Sequence, residues 1–418
     1  MAFQGAKVVY VTRDIERALG MTPSPNYLII SNKTPHGEDI ARQHPGRVIL
    51  VGGRAEKLLG TGELLGTAEA RSLMAEQAVH GAGGASVLVF KNTLRVESVI
   101  RAHGWNVLNP PSDLSERVEN KLSQLRWLGS LGAKYLPSHA SKVAKYITWK
   151  ADPFIIQWAH GHTGDGTVLV RTPEELRILQ DKFPDRMARV SAYVEGPSYT
   201  VNAVITPSRI LIGNLSYQIT GLSPFTDNAM STVGNDWGLA GRELKAGDLS
   251  AIRSMVEEIG RKLQSDGWKG LFGVDLIREA GSNRIYLIEV NARQPASATF
   301  ESSLQEAARS RGSRGLTTFE AHIRALLGLP IDEDIVRIDD GAQIVQRVTR
   351  NVQSLFDDAG GELERGGYKA VTYENSAPNS DLLRIQSRES IMAGHNIFND
   401  RGREIAKAIK DSFFKIQL

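Results

Sequence analysis

The spacing of apolar positions changes character along the chain. Over the first hundred residues short β-branched runs recur: "KVVYVT" from Lys7, "YLIIS" from Tyr27, "RVILVGG" from Arg47, "SVLVFKN" from Ser86 and "WNVLN" from Trp105. Runs that are apolar at every position, separated by helix-length segments, read as strands buried on both faces. They predict a doubly wound parallel αβ domain over 1–112. "LNPPSDLSERVENKL" ends it: the paired prolines stop a strand, and Ser112 or Asp113 is placed to cap the next helix.

From 113 to 330 the pattern turns to α+β, with strands of antiparallel appearance. "PFIIQWAHGHTGDGTVLV" reads as strand, glycine-rich loop, strand. "TPEELRILQDKF" reads as a helix with Thr172 as N-cap, Pro173 at the first helical position and Glu175 available for a capping box. "RVSAYVEGPSYTVNAVIT" reads as a pair of strands around Gly196-Pro197, and "LSAIRSMVEEIGRKLQSDG" as an amphipathic helix stopped by glycine. After "LGLPIDEDI", residues 331–418 read as a small C-terminal α+β domain.

Composition narrows the class without naming it. Hydrophobic residues make up 41% and charged residues 23%, the balance of a globular protein, and the net charge of +3 gives no case for nucleic acid. No cysteine occurs, which excludes disulfides, thiolate metal sites and cysteine nucleophiles. Nowhere do eighteen apolar residues run together, and "MAFQGAKVVYVTRD" lacks the core of a signal peptide. A cytoplasmic protein with no membrane partner is the expectation.

The stretch "GVDLIREAGSNRIYLIEVNARQ" from Gly273 departs from the apolar rule. Two apolar runs flank a turn built from Gly281, Ser282 and Asn283, and each run carries an acid. Alternation puts Glu289, Asn291 and Arg293 on one face, with Ile288, Val290 and Ala292 on the other. A hairpin brings Asp275 beside Glu289. Two carboxylates and an amide oxygen are hard ligands suited to Mg²⁺, and an adjacent arginine suits the phosphates such an ion accompanies. The competing reading is a half-exposed hairpin whose polar face is merely solvated.

Two further stretches carry weaker signals. In "IIQWAHGHTGDGTVLV", Gly161, Gly164 and Gly166 permit backbone N–H groups to cover phosphate oxygens, with Thr163 and Thr167 as hydroxyl donors. A plain turn fits equally, and no Gly-Lys-Ser/Thr follows, so it is not a P-loop. His160 and His162 lack a third ligand and read as polar loop residues. In "SAYVEGPSYTV" a strand ends in Glu-Gly and resumes beyond a proline, an edge able to read a base.

Lys121 in "ENK", the glycine loop, the "AYVEG" edge and "GVDLI…YLIEVNAR" occur in the order and spacing that resemble the ATP-grasp superfamily, over roughly Asn109 to Leu329. The resemblance implies a central module of two α+β subdomains behind a pre-ATP-grasp domain, with ATP and Mg²⁺ as cofactors. It implies that Asp275, Glu289 and Asn291 hold the metal and that Arg293 is catalytic, beside the γ-phosphate. Nucleotide contacts would come from Lys121, Gln157, His162, Thr163, Gly164 and Gly166. Ala192 and Val194 would serve adenine through the backbone, and Glu195 the ribose. One position departs: the family has a second lysine before the glycine loop, where this chain has Gln157. Either Lys145, Lys150 or a loop histidine compensates, or turnover is impaired.

The layout resembles carboxylate–amine ligases that form an amide through an acyl phosphate, with an amino acid or peptide supplying acid and amine. Arg309, Arg311 and Arg314 either recognise the acid or are solvated. A homodimer is compatible with this layout. The alternatives are a biotin-carboxylase-like or purine-pathway enzyme, or a catalytically silent ATP-binding relative.

Overall fold

The computed structural model describes residues 3, 5–53, 57–79, 85–159, 166–352 and 357–414. The apolar runs near the N-terminus form β1 (Lys7–Val11), β2 (Tyr27–Asn32), β3 (Val48–Val51), β4 (Ala85–Val89) and β5 (Asn106–Val107), a parallel sheet in the order β3-β2-β1-β4-β5. Valines 8, 9, 11, 87 and 89 are fully or almost fully buried, as strands covered on both faces require. The helix after this sheet begins at Ser112 itself, with Pro111 at the cap position and no side-chain cap. Its first N–H is instead satisfied from outside, by the Glu97 carboxylate at 2.9 Å. A cap supplied by another helix leaves no local trace in the sequence.

Four strands make a small antiparallel sheet: β6 (His139–Val143), β7 (Phe154–Trp158), β8 (Thr167–Val170) and β9 (Met187–Ala192), ordered β6-β9-β7-β8. One face packs Ile156, Ala188 and Val170 against Leu176 of the Pro173–Lys182 helix. Thr172 caps that helix, accepting from the Glu175 N–H at 3.2 Å. The Glu175 carboxylate reaches one residue further than a capping box would take it, to the Arg171 N–H at 2.6 Å.

The larger sheet has eight antiparallel strands. To the strands just named it adds β10 (Ser198–Ile205), β11 (Ile210–Thr220), β12 (Thr232–Asp236), β13 (Gly270–Arg278), β14 (Ile285–Asn291), β15 (Ala342–Arg347), β16 (Lys369–Thr372) and β17 (Asp381–Ser387), ordered β14-β13-β10-β11-β12-β15-β17-β16. The strands on either side of Gly196-Pro197 thus do not pair with each other: β9 ends one sheet and β10 opens the next. Strands from 331–418 extend the sheet that carries the "GVDLI" hairpin. The Ala246–Ser265 helix covers that sheet with Ile252, Met255, Val256, Ile259 and Leu263, all buried.

Apolar and polar contacts both tie the parallel sheet to the rest. Phe319, Ile323 and Leu326 enter its core beside Tyr10 and Tyr27. The Tyr10 hydroxyl donates to Gln294 Oε1 at 2.8 Å, and Gln294 Nε2 donates to the Arg17 carbonyl at 2.7 Å. Behind the large sheet, the buried Glu301 carboxylate accepts from the Asn214 N–H at 2.8 Å and from Asn202 at 2.5 Å. Burial pushes its carboxyl up, against those bonds.

Gly196 has φ 151°, and a Cβ there would lie 1.9 Å from the Arg278 carbonyl oxygen. The crossing between the sheets lies against β13 through Ala280 N–H to the Glu195 carbonyl, 2.8 Å. Gly196→Ala must move backbone on one side, so a loss of about 3 kcal/mol is expected. Urea unfolding monitored by tryptophan fluorescence checks it, and an unchanged midpoint contradicts the contact.

Candidate active site

The hairpin of β13 and β14 pairs Asp275 directly with Glu289 and Gly273 with Asn291. The ladder slips between Asp275 and Leu276, where Leu287 becomes the next partner and Ile288 is the extra residue. Leu287 therefore joins Val290 and Ala292 in the core, while Ile288, expected there from simple alternation, lines the cavity. A bulge turns the strand locally and leaves the inserted residue's backbone outside the ladder. The Ile288 carbonyl accepts instead from Arg189 Nη1 at 3.2 Å.

Around this hairpin lies a cavity of about 490 Å³, open to solvent on one side. Asp275 Oδ1 accepts from Thr200 Oγ1 at 2.6 Å, and its other oxygen from Asn291 Nδ2 at 3.0 Å. The same amide approaches Glu289 at 3.4 Å, and Asn291 Oδ1 accepts from Arg293 at 2.9 Å. Arg293 Nε pairs with Glu119 at 3.1 Å, and Lys91 binds the other Glu119 oxygen at 2.5 Å. Lys121 forms an ion pair with Glu289. It is the first residue of the Lys121–Leu128 helix, whose N-cap Asn120 accepts from the N–H groups of Leu122 and Ser123.

The electrostatics follow from enclosure. Burial pushes the Asp275 carboxyl up, opposed by the Thr200 hydroxyl, Lys121 and Asn291. Burial and then the neighbouring Arg189 charge lower the Lys121 ammonium to about 8, with Asp275 and Glu119 acting the other way. Two paired carboxylates and an amide able to turn its oxygen inward fit a hard divalent cation. Among the described residues no group of three or more His, Asp or Glu is placed to hold a metal. A bound ion would take its remaining ligands from substrate oxygens, as Mg²⁺ commonly does.

The remaining expected residues divide. Gln157 and Thr167 line the cavity and bond to each other at 3.3 Å. Gly166 accepts from the Trp158 N–H at 2.9 Å, whereas His162, Thr163 and Gly164 lie outside the described residues. Ala192 ends β9 and Val194 and Glu195 lie in the crossing to β10; none of the three lines the cavity, which this part of the chain reaches at Ser198. The Ala192 N–H already donates to the Ser138 carbonyl at 2.8 Å. Arg309 pairs with Glu320 at 2.7 Å and with Glu306, while Arg311 and Arg314 are exposed. None of the three lines this cavity. Lys145 is bound to Asp185 at 2.7 Å and Lys150 is exposed. The cation nearest Gln157 in register is Arg189, its direct partner across the β7–β9 ladder.

At the far end the wall is made of Arg17, Arg347, Arg384 and Asp381. Asp381 receives Arg347 at 2.7 Å, Arg384 at 3.1 Å and Arg17 at 3.5 Å. Burial raises its carboxyl, but the three guanidiniums prevail and hold it below the usual range. Tyr373 donates to Glu16 at 2.8 Å and accepts from Arg384 at 2.9 Å. Sequence reading missed this cluster. The signal that was available is the one used at Glu289: "IVQRV" and "LLRIQ" each embed an arginine in an apolar strand.

Residues 118–297 match the family model for the ATP-grasp domain. That segment, a little under half of the chain, is thus an ATP-grasp domain, and the likeness of the rest is one of fold. Its fold is similar over nearly the whole length to N5-carboxyaminoimidazole synthetase from Staphylococcus aureus, solved with ADP: TM-score 0.63, 10% identity, 98% of this chain and 97% of that one. It is similar to the Aspergillus clavatus N5-carboxyaminoimidazole synthase solved with ADP and 5-aminoimidazole ribonucleotide, at TM-score 0.60, 15% identity and 99% of each chain. It is also similar to L-amino acid ligase from Bacillus licheniformis, at TM-score 0.59, 13% identity and 98% of each chain. No curated protein sequence matches it. Among the described residues no helix is long and apolar enough to cross a membrane.

The enclosed lysine is directly testable. NMR of the ¹³C-methylated protein should show Lys121 titrating near 8. Asp275→Asn should lower that midpoint, because it removes a carboxylate that favours the ammonium. A Lys121 midpoint at the ordinary value of about 10.4 contradicts the enclosure.

Proposed function

We propose that the protein is an ATP-dependent carboxylate–amine ligase that forms an amide through an acyl phosphate and releases ADP and phosphate. The observation that carries this reading is that one cavity has two differently charged ends. One end gathers Asp275, Glu289, Asn291, Lys121 and Arg293, and the other gathers three guanidiniums around Asp381.

Mg²⁺, when held by Asp275, Glu289 and Asn291, supplies charge neutralisation to the phosphates of ATP. Lys121 adds a point charge to the same phosphates, and Arg293, braced by Glu119, offers planar donors to the group in transfer. Arg17, Arg347 and Arg384 hold and orient the substrate acid. A carboxylate oxygen attacks the γ-phosphorus in line, and the bond to the ADP oxygen breaks. The amine nitrogen then attacks the acyl carbon, phosphate leaves with the bonding pair, and the ammonium proton passes to solvent. Phosphoryl transfer depends on positioning and charge rather than on a protein nucleophile, which suits a cavity with no cysteine.

An amino acid or peptide supplies acid and amine in the first reading, to which the L-amino acid ligase neighbour lends its fold. The second reading is a purine-pathway type of reaction on bicarbonate and an amino-imidazole nucleotide. It is favoured by the same guanidinium end, which suits a phosphate monoester as well as a carboxylate.

Incubation with MgATP and pools of amino acids, or with bicarbonate and aminoimidazole ribonucleotide, decides between them through ADP release and product masses. Asp275→Ala or Glu289→Ala is expected to lower ADP formation by at least about 100-fold. Arg17→Gln is expected to raise KM for the acid about tenfold with KM for ATP unchanged. ADP formation undiminished in Asp275→Ala sinks the metal assignment.

A further inference from the structure

Arg189 is a buried charge whose partner among the described residues is a backbone carbonyl, that of Ile288. It stands in the middle of β9, in register with Gln157 on β7, and cross-strand partners project from the same face. The neighbours Ala188 and Val190 point the other way, into the small core under the Pro173–Lys182 helix. Arg189 therefore shares the face on which Gln157 and Thr167 line the cavity. It is only 2% exposed.

Its partners do not match its charge. Nη1 has the Ile288 carbonyl, Nε has no partner, and no carboxylate among the described residues pairs with it. Burial without compensation draws the guanidinium down to about 10. An unpaired buried charge is among the costliest features a fold can carry. Arg189 stands behind the wall formed by Gln157 and Ile288, a cation for which no described carboxylate supplies the counter-charge.

We propose that Arg189 is a phosphate-binding residue, receiving the triphosphate of the bound nucleotide together with Lys121. The inference rests on the nucleotide reading of this cavity. It also accounts for the neutral residue at 157. A lysine there would stand opposite Arg189 in the ladder, where like charges repel. The positive charge has been moved one strand over, and Gln157 can donate an amide hydrogen bond without opposing it.

The test uses the full chain and titration calorimetry with MgADP and MgATP. Arg189→Gln should weaken MgATP binding about 10- to 100-fold, the loss of a charge-assisted hydrogen bond. The same variant should raise the melting temperature of the unliganded protein, because a lone buried charge is gone. Adding Gln157→Lys to Arg189→Gln should restore at least about tenfold of the lost affinity, by returning a cation to the same face. Unchanged affinity in Arg189→Gln overturns the inference, as does a lowered melting temperature without recovery in the double variant. If the wild type binds and turns over ATP while Arg189→Gln matches it, this inference alone falls. If the wild type binds no nucleotide, the reading of the cavity falls with it.

Discussion

Asp275 and Glu289 face each other across a two-strand pairing, both half-buried at the wall of one cavity. Like charges at that spacing repel, and burial raises the penalty for ionising Asp275. The surrounding structure is arranged to meet that penalty with donors and cations. Thr200 on β10 and Asn291 on β14 donate to Asp275, and Lys121 pairs with Glu289. Arg293 completes the arrangement by binding both Asn291 and Glu119. A cation shared by the two carboxylates would relieve the same repulsion, so the electrostatic need and the proposed chemistry are one demand.

The position of the cavity follows from how the three larger sheets are joined. In a parallel sheet the loops at the strand C-termini open on one edge, and those after β1 and β4 bring Arg17 and Lys91 to the wall. Gln294, just past the β13–β14 hairpin, is held by Tyr10 and the Arg17 carbonyl, which fixes the hairpin to that edge. Strands β15 and β17 continue the large sheet and carry Arg347 and Arg384 to the other end. Each charged end is thus built from segments more than a hundred residues apart in sequence.

Much of this was legible because local rules and tertiary structure agree. The five N-terminal runs are strands in a parallel sheet because continuous β-branched residues can only be buried on both faces. The Thr172 cap and the Ala246–Ser265 helix follow from short-range pattern in the same way. Where tertiary partners intervened, local rules failed. Ile288 left the core because a bulge shifted the alternation by one residue, and Ser112 entered its helix because Glu97 from another helix took over the capping.

The sequence by itself determined the elements, the hairpin and the fact that Asp275, Glu289, Asn291 and Arg293 would share one strand pair. Period and turn chemistry are local, so no folding was needed to read them. Only the tertiary structure decided which cations meet those acids and what stands at the far end of the cavity. Arg189 is thirty-two letters from Gln157, and nothing in that spacing says that they face each other. Cross-strand register is set by the packing of whole sheets, and with it the charge of the site.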